Sequence, residues 1–359
     1  MRLIYTQHIS FFSSVSCGKL ETTKLATVMS GIKARKWLNK KPFQGLPKRD
    51  DFEIVEEELP AMKDGEFIAE AQFLTVDPYL RITALGIVVP GKLMPGSQVA
   101  KVIQSKSKDY SVGDVVLGEF GWSSHSISDG SKVFKLDSSS PIPHSTALGV
   151  LGMPGATAYF GLRDICQPTK EGQTFLVNAA AGAVGSIIGQ LAKLKGMKVI
   201  GFAGSDEKIE YLKSLGFDVA YNYKTIPSLE AAIKESCPNG VDVFFDNVGG
   251  KFLETVIPQM SPTGRVAICG SISQYNNESE TKSDFNILGY IQMKQLKVQA
   301  FLGWNFMDEW PVAFKEMGQM IQDGKLKYRE TVFEGFDSMC DAFVSLFSSN
   351  NIGKVVVKV

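Results

Sequence analysis

No stretch of this chain reaches the roughly 18 consecutive apolar residues that a transmembrane helix needs, so no membrane association is expected. Cysteine is sparse. The five (Cys17, Cys166, Cys237, Cys269, Cys340) are far apart, odd in number and nowhere spaced Cys-x-x-Cys. That pattern argues against a disulfide framework and against a structural zinc site, and it fits a reducing, cytoplasmic compartment. An excess of one charge is also missing: 38 Lys plus Arg face 38 Asp plus Glu. Phosphate-backbone binding rests on a basic surplus, so no nucleic-acid partner is expected. The single basic run, Lys33 to Lys41, is short, contains Trp37 and reads as a solvated strand edge. Residues 1–28 hold no acid before Glu21. They read as a disordered extension or the result of a start upstream of Met29, with a mitochondrial presequence as the other reading.

What is present is enough apolar material for large cores, 44% of 359 residues, and a length that suggests about two domains. The first half reads as short strands, among them Asp51–Glu57, Glu66–Leu74, Gln98–Ser105 and Asp114–Gly118, punctuated by Gly65, Gly96 and Gly113. From Thr174 the pattern changes to alternating strands and helices. Strands are expected at Thr174–Ala179, Lys198–Ala203, Val219–Tyr223, Val241–Asn247 and Arg265–Gly270. Helices are expected at Val184–Leu194, Ser205–Leu215, Ser228–Glu235 and Phe252–Met260. Such alternation means βαβ units and a parallel sheet. From about Phe333 a β-like pattern returns and ends in Lys354–Val359, which needs a sheet to join. The expected fold class is therefore α/β, with a β-rich domain over 30–152 completed by 329–359 and a doubly wound parallel-sheet domain over 153–328.

The sharpest motif is Ala180-x-Gly182-x-x-Gly185, placed after a strand and opening a helix. Gly182 lets backbone approach a pyrophosphate, Gly185 lets the helix pack close to the strand, and the free N–H groups of Ala183, Val184 and their neighbours suit phosphate. A dinucleotide site follows. Enzymes that prefer NAD place an acid at the tip of the second strand. Here that tip is Gly201-Phe202-Ala203-Gly204-Ser205, and Asp206 and Glu207 come only in the first turn of the next helix, with Lys208 after them. Without the acid a 2′-phosphate is not repelled, and Lys208 offers it a charge, so NADP(H) is the expected cofactor. Asp246-Asn247-Val248-Gly249-Gly250 and Cys269–Tyr275 end further strands on the same edge, where open α/β sheets bind ligands.

Val76-Asp77-Pro78-Tyr79-Leu80-Arg81, Gly152-Met153-Pro154-Gly155-x-Thr157-Ala158-Tyr159, the Ala179–Gly185 loop, Gly204–Lys208 and Phe245–Gly250 occur in that order. From about Ser30 to Val359 the chain resembles the prostaglandin reductase family, also called leukotriene hydroxydehydrogenases or alkenal/one oxidoreductases. The resemblance implies a GroES-like outer domain, a Rossmann inner domain, NADPH, and reduction of the carbon–carbon double bond of α,β-unsaturated ketones and aldehydes, including 15-oxoprostaglandins and lipid-derived alkenals. It implies cofactor contacts at Met153, Thr157, Gly182, Ala183, Val184, Gly185, Lys208, Tyr223, Asn247, Cys269, Gly270, Ser271, Ile272, Ser273, Gln274, Tyr275, Phe301, Leu302, Gly303, Trp304, Asn305, Phe306, Met307 and Asn351. It also implies a homodimer. Where zinc-dependent relatives carry Gly-His-Glu, this chain has Pro95-Gly96-Ser97-Gln98-Val99-Ala100; no metal is expected, and His125 and His144 read as surface or capping residues.

The implied chemistry is hydride addition to the β-carbon of an enone, with a hydroxyl donor at the carbonyl oxygen. The family's substrate-facing tyrosine aligns with Met293 here, so Tyr290 is the expected donor and Tyr79 the alternative. Two rivals share the cofactor loop: a quinone reductase of the same superfamily, and a crystallin-like protein that binds NADPH without turnover.

Overall fold

The structure is a computed structural model that describes residues 29–82, 86–277, 284–348 and 350–359. The expected extension 1–28, with Cys17, lies outside the described residues.

Six strands form one parallel sheet in the spatial order Val219–Asn222, Lys198–Ala203, Thr174–Val177, Val241–Asp246, Met260–Ile268, Lys297–Ala300. Its central strands are apolar runs covered on both faces, as parallel strands require. Phe175 and Val177 point into one core with Ile187, Ile188 and Leu191, while Leu176 points into the other with Phe202, Phe244 and Val266. Helix Asp206–Ser214 begins where the Ser205 hydroxyl accepts the Lys208 N–H at 3.4 Å, and helix Leu229–Ser236 is capped the same way by Ser228. The helix expected over Phe252–Met260 instead runs Gly250–Val256 and closes in a 3₁₀ turn, Ile257–Gln259. Pro258 has no N–H to continue it.

The outer domain is β-rich. A seven-stranded sheet has the order Glu330–Glu334, Lys354–Lys358, Phe67–Thr75, Gln98–Ser105, Val115–Gly118, Phe134–Lys135, with His125–Ser128 also against Phe67–Thr75. A second sheet joins Phe52–Pro60, Met29–Asn39 and Lys92–Leu93. The last strand runs antiparallel to Phe67–Thr75, with Val356 opposite Thr75, so the end of the chain completes a sheet begun in its first half. The β-like pattern expected from Phe333 is broken by helix Met339–Ser348. Met339, Ala342, Phe343 and Leu346 recur at helical spacing and pack on Trp37, Phe43, Phe52 and Trp122. Most of the basic run lies on strand Met29–Asn39, with Lys40 and Lys41 just beyond it; Lys33 pairs with Glu56 at 2.9 Å and Trp37 is buried beneath the Arg49 guanidinium. Among the described residues no helix is long and apolar enough to cross a membrane.

Candidate active site in the crevice between the two domains

Strand order reverses between Thr174–Val177 and Val241–Asp246. Helices leave such a point on opposite faces, and a crevice opens beyond the strand ends. Here it is a cavity of about 680 Å³, walled by the inner strand ends, the outer-domain segment around Val76–Ile82, and the residues leading into the last strand.

The loop after Val177 enters it. Ala179 adopts the left-handed φ of 45°, turning the chain so that Gly182–Gly185 face the crevice. A Cβ on Gly185 would lie 2.5 Å from the Ala179 carbonyl oxygen and 2.8 Å from Ala180 Cα, so the helix touches the strand there. A Cβ on Gly182 would meet only the Ala179 oxygen, at 3.2 Å, and the space above it is open. The loop is tied to the last strand: Gly353 donates its N–H to the Ala181 oxygen at 2.7 Å.

At the second strand's tip, Lys208 is almost fully buried and lines the cavity with Tyr223 and Gly204. Burial lowers the Lys208 pKa, the neighbouring Lys224 ammonium lowers it further, and Glu207 opposes both. The acids nearby are engaged elsewhere. Asp206 accepts from Asn222 Nδ2 at 2.7 Å, and Glu207 pairs with Arg329 at 3.0 Å. A Cβ on Gly204 would sit 2.9 Å from Tyr223 Oη and 3.2 Å from Lys224 Cε. Two like charges and a phenol thus gather over a glycine while the carboxylates of Asp206 and Glu207 are held by other partners, which is a site for an anion. A phosphorylated dinucleotide fits these residues, with its pyrophosphate at the Gly182 loop and its extra phosphate by Lys208.

Of the other expected contacts, Met153, Thr157, Asn247, Cys269, Gly270, Ile272, Ser273, Tyr275, Phe301, Leu302, Gly303, Trp304 and Asn351 line the same cavity. Ser271 and Gln274 do not; the Ser271 N–H donates to Tyr275 Oη at 3.2 Å, folding the turn on itself. Asn305, Phe306 and Met307 fall in the tight turn Gly303–Glu309, which swings them off the crevice, and Phe306 stacks on Phe160 at 4.9 Å. The Cys269 thiol is pushed up to about 12 by burial and then by Asp246, which disfavours the thiolate.

Tyr290 does not line the cavity. It sits on helix Ile287–Met293, partly exposed, with its ring stacked on Phe285 at 5.3 Å. Tyr79 does line it, edge-on to Trp304 at 5.1 Å. Burial raises the Tyr79 phenol well above its ordinary value, and the Asp77 carboxylate adds to the rise. Several lining residues escaped the sequence reading. Leu346 and Phe347 ride on the unexpected helix, Lys354 is one cation in an apolar strand, and Asn178 and Phe202 close the inner side. Only helical spacing, for the first two, could have pointed to them.

With this geometry in hand, comparison with known proteins decides the family. A family model described as the N-terminal domain of oxidoreductase matches residues 35–136, and one described as zinc-binding dehydrogenase matches 183–319. Prostaglandin reductase 1 of Bos taurus is 50% identical over 330 residues, 91% of this chain and 99% of that protein. The chain belongs to the prostaglandin reductase family. Within the wider group, the 2-alkenal reductase (NADP(+)-dependent) of Nicotiana tabacum is 39% identical, covering 88% of this chain and 94% of its own. The crystal structure of CurA in complex with NADPH from Vibrio vulnificus superposes with a TM-score of 0.85 at 35% identity, over 90% of this chain and 99% of that one. In this family member Gln98, on the stretch compared above with the zinc-dependent relatives, is buried and donates its amide to the Ser123 oxygen at 2.9 Å. His144 meets the Asp137 oxygen at 3.2 Å, and His125 lies 3.5 Å from Glu70.

Proposed function

We infer that the protein reduces the carbon–carbon double bond of lipid-derived enones and enals, 15-oxoprostaglandins included, with NADPH as reductant. One observation carries this reading: an apolar-walled crevice joins the anion site at Lys208 and Tyr223 to the neutral phenol of Tyr79. The names of its relatives support the same chemistry.

Bound in the crevice, the reduced dinucleotide supplies a hydride. The chain's own residues do the rest. Lys208, Tyr223 and Lys224 hold the extra phosphate, and the Gly182–Gly185 backbone holds the pyrophosphate. Met153, Thr157, Asn247, Cys269, Gly270, Ile272, Ser273, Tyr275, Phe301, Leu302, Gly303, Trp304 and Asn351, which line the crevice, belong to the same proposed contact set. Tyr79, Trp304 and Phe347 exclude water, which strengthens any hydrogen bond made inside. Tyr79 stays protonated near neutral pH and donates to the substrate carbonyl oxygen as negative charge gathers there, so we assign it the role expected of Tyr290. Solvent supplies the proton at the α-carbon.

The reading includes a two-domain division, 30–152 with 329–359 against 153–328, supported by the last strand's pairing with Phe67–Thr75. It includes a cytoplasmic homodimer. Strand Lys297–Ala300 ends the parallel sheet with all four residues exposed, and an open edge of this kind pairs readily with a second copy.

The test is loss of NADPH absorbance with 2-nonenal, a 15-oxoprostaglandin and a quinone. Turnover of the first two supports the reading. Turnover of quinone alone, or of nothing, rejects it. Tyr79→Phe should cut kcat about 100–1,000-fold, as loss of a donor to developing charge does elsewhere, with NADPH affinity unchanged.

A further inference from the structure

Two opposite charges lie buried side by side on the cavity wall. Lys354 Nζ is 3.1 Å from Asp77 Oδ1, with side-chain exposures of 5% and 8%. The ammonium also donates to the Val76 oxygen at 2.8 Å and the Val355 oxygen at 2.9 Å. Thr75 Oγ1 donates to Asp77 Oδ2 at 2.6 Å. An ammonium has three protons, and all three are committed. Lys354 therefore has none to offer a bound molecule, although it lines the cavity. The other carboxylate facing it is Glu330, opposite Lys354 in the neighbouring strand and held by the Ser145 hydroxyl at 2.9 Å. Gly149 lies flat on the lysine stem: a Cβ there would be 3.3 Å from Lys354 Cβ and Cγ.

A buried ion pair commonly adds no more stability than an apolar pair of similar volume. Its place in the chain suggests another use. One residue before Lys354, Gly353 is bonded to Ala181 in the dinucleotide loop. Gly353 has φ +66°, and a Cβ there would fall 1.8 Å from the Arg329 oxygen, so only glycine fits at that link. On the other side, Asp77 immediately precedes the turn Pro78–Arg81, which carries Tyr79, and its carbonyl accepts the Leu80 N–H at 3.2 Å. A continuous path runs from Ala181 through Gly353, Lys354 and Asp77 to Tyr79, crossing from the inner domain to the outer.

We propose that the Asp77–Lys354 ion pair is a positioning device that holds the Tyr79 hydroxyl in register with the dinucleotide loop. The proposal rests on Tyr79 as the donor to the substrate carbonyl. The pair acts on where that hydroxyl stands, not on whether the cofactor binds.

The experiment replaces the pair by apolar residues of similar size, Asp77→Leu with Lys354→Met, in the full chain, with and without Tyr79→Phe. Thermal midpoint, NADPH affinity by fluorescence, and kcat and KM with 2-nonenal are measured. The apolar pair should keep the midpoint and NADPH affinity near parental values while kcat falls about 10–100-fold, the scale of a misplacement near 1 Å. Most of that factor should vanish once Tyr79→Phe has removed the hydroxyl. Parental kcat with the apolar pair would overturn the proposal, and so would an equal loss in both backgrounds. Should the double replacement fail to fold, Lys354→Arg keeps the charge but moves its point of contact; lower kcat at parental midpoint and KM is expected, and unchanged kcat overturns. Parental kcat in Tyr79→Phe alone, with the ion pair intact, removes the donor reading itself and the proposal with it.

Discussion

Asn178 Nδ2 donates to Asp246 Oδ1 at 2.6 Å, tying together the ends of the two strands between which the sheet reverses its order. The same carboxylate oxygen accepts the N–H groups of Val248 and Gly249, each at 2.9 Å, and Asn178 Oδ1 accepts the Asn247 N–H at 2.7 Å. The pair fixes the mouth of the crevice before any ligand arrives. Asp246 is fully buried, and burial raises its carboxyl pKa against the pull of these donors.

Asn178→Ala should cost about 1–3 kcal/mol, because it takes one donor from a buried carboxylate and leaves the Asn247 N–H without its acceptor. The variant also raises the Asp246 carboxyl further. A folded-state value above the unfolded one means stability that is present in acid and lost as pH rises through the folded value. The deficit against the parent should therefore grow from acid towards neutral pH. Urea unfolding across that range checks it; a deficit that shrinks on the way up would contradict the assigned network.

Lys208→Glu should weaken NADPH binding about 10–100-fold, the loss of a charge-assisted contact, and narrow or invert the preference over NADH. Because the Lys208 pKa is lowered by burial and by Lys224, its charge disappears on the acid side of the ordinary lysine value. NADPH affinity should fall as pH rises into that range, and Lys208→Arg should move the fall to higher pH. Fluorescence titration with both coenzymes reads each outcome.

Gly185→Ala and Gly182→Ala should separate. The first drives a Cβ into backbone at 2.5 Å and should destabilise the fold by about 1–3 kcal/mol. The second meets only one oxygen, at 3.2 Å, and should leave the thermal midpoint nearly unchanged while weakening dinucleotide binding. Equal midpoints for both variants would argue against this loop geometry.

Val298→Lys puts a charge on the open edge strand, where Val298 is 40% exposed. A buried, unpaired cation at a subunit contact is costly. If Lys297–Ala300 pairs with a second copy, sedimentation should find a dimer in the parent and a monomer in the variant; a dimer in both would move the contact elsewhere.

Much of the inner domain was legible in the sequence because its signals are local. The helices expected to start at Ser205 and Ser228 do start there, each capped by that serine, and strand Lys198–Ala203 has the expected ends. The small residues of Ala180–Gly185 sit where a helix must touch a strand. Signals that depend on distant partners were not legible. Met339–Ser348 looks strand-like until its apolar face finds the aromatic core around Phe52 and Trp122. Lys224 gains meaning only when chain folding brings it beside Lys208.

The tyrosine at the cavity shows the same boundary. The family resemblance pointed to Met293 and so to nearby Tyr290, but a helix turns that ring against Phe285, while Tyr79, more than two hundred residues earlier, lines the crevice edge-on to Trp304. By itself the sequence determined the α/β class, the dinucleotide loop and the preference for a phosphorylated coenzyme, since each follows from residue type and short-range spacing. Only the tertiary structure decided which tyrosine stands at the cavity and that Lys354 meets Asp77. Both depend on where two domains close on each other, and that geometry is set by packing between segments far apart in the chain.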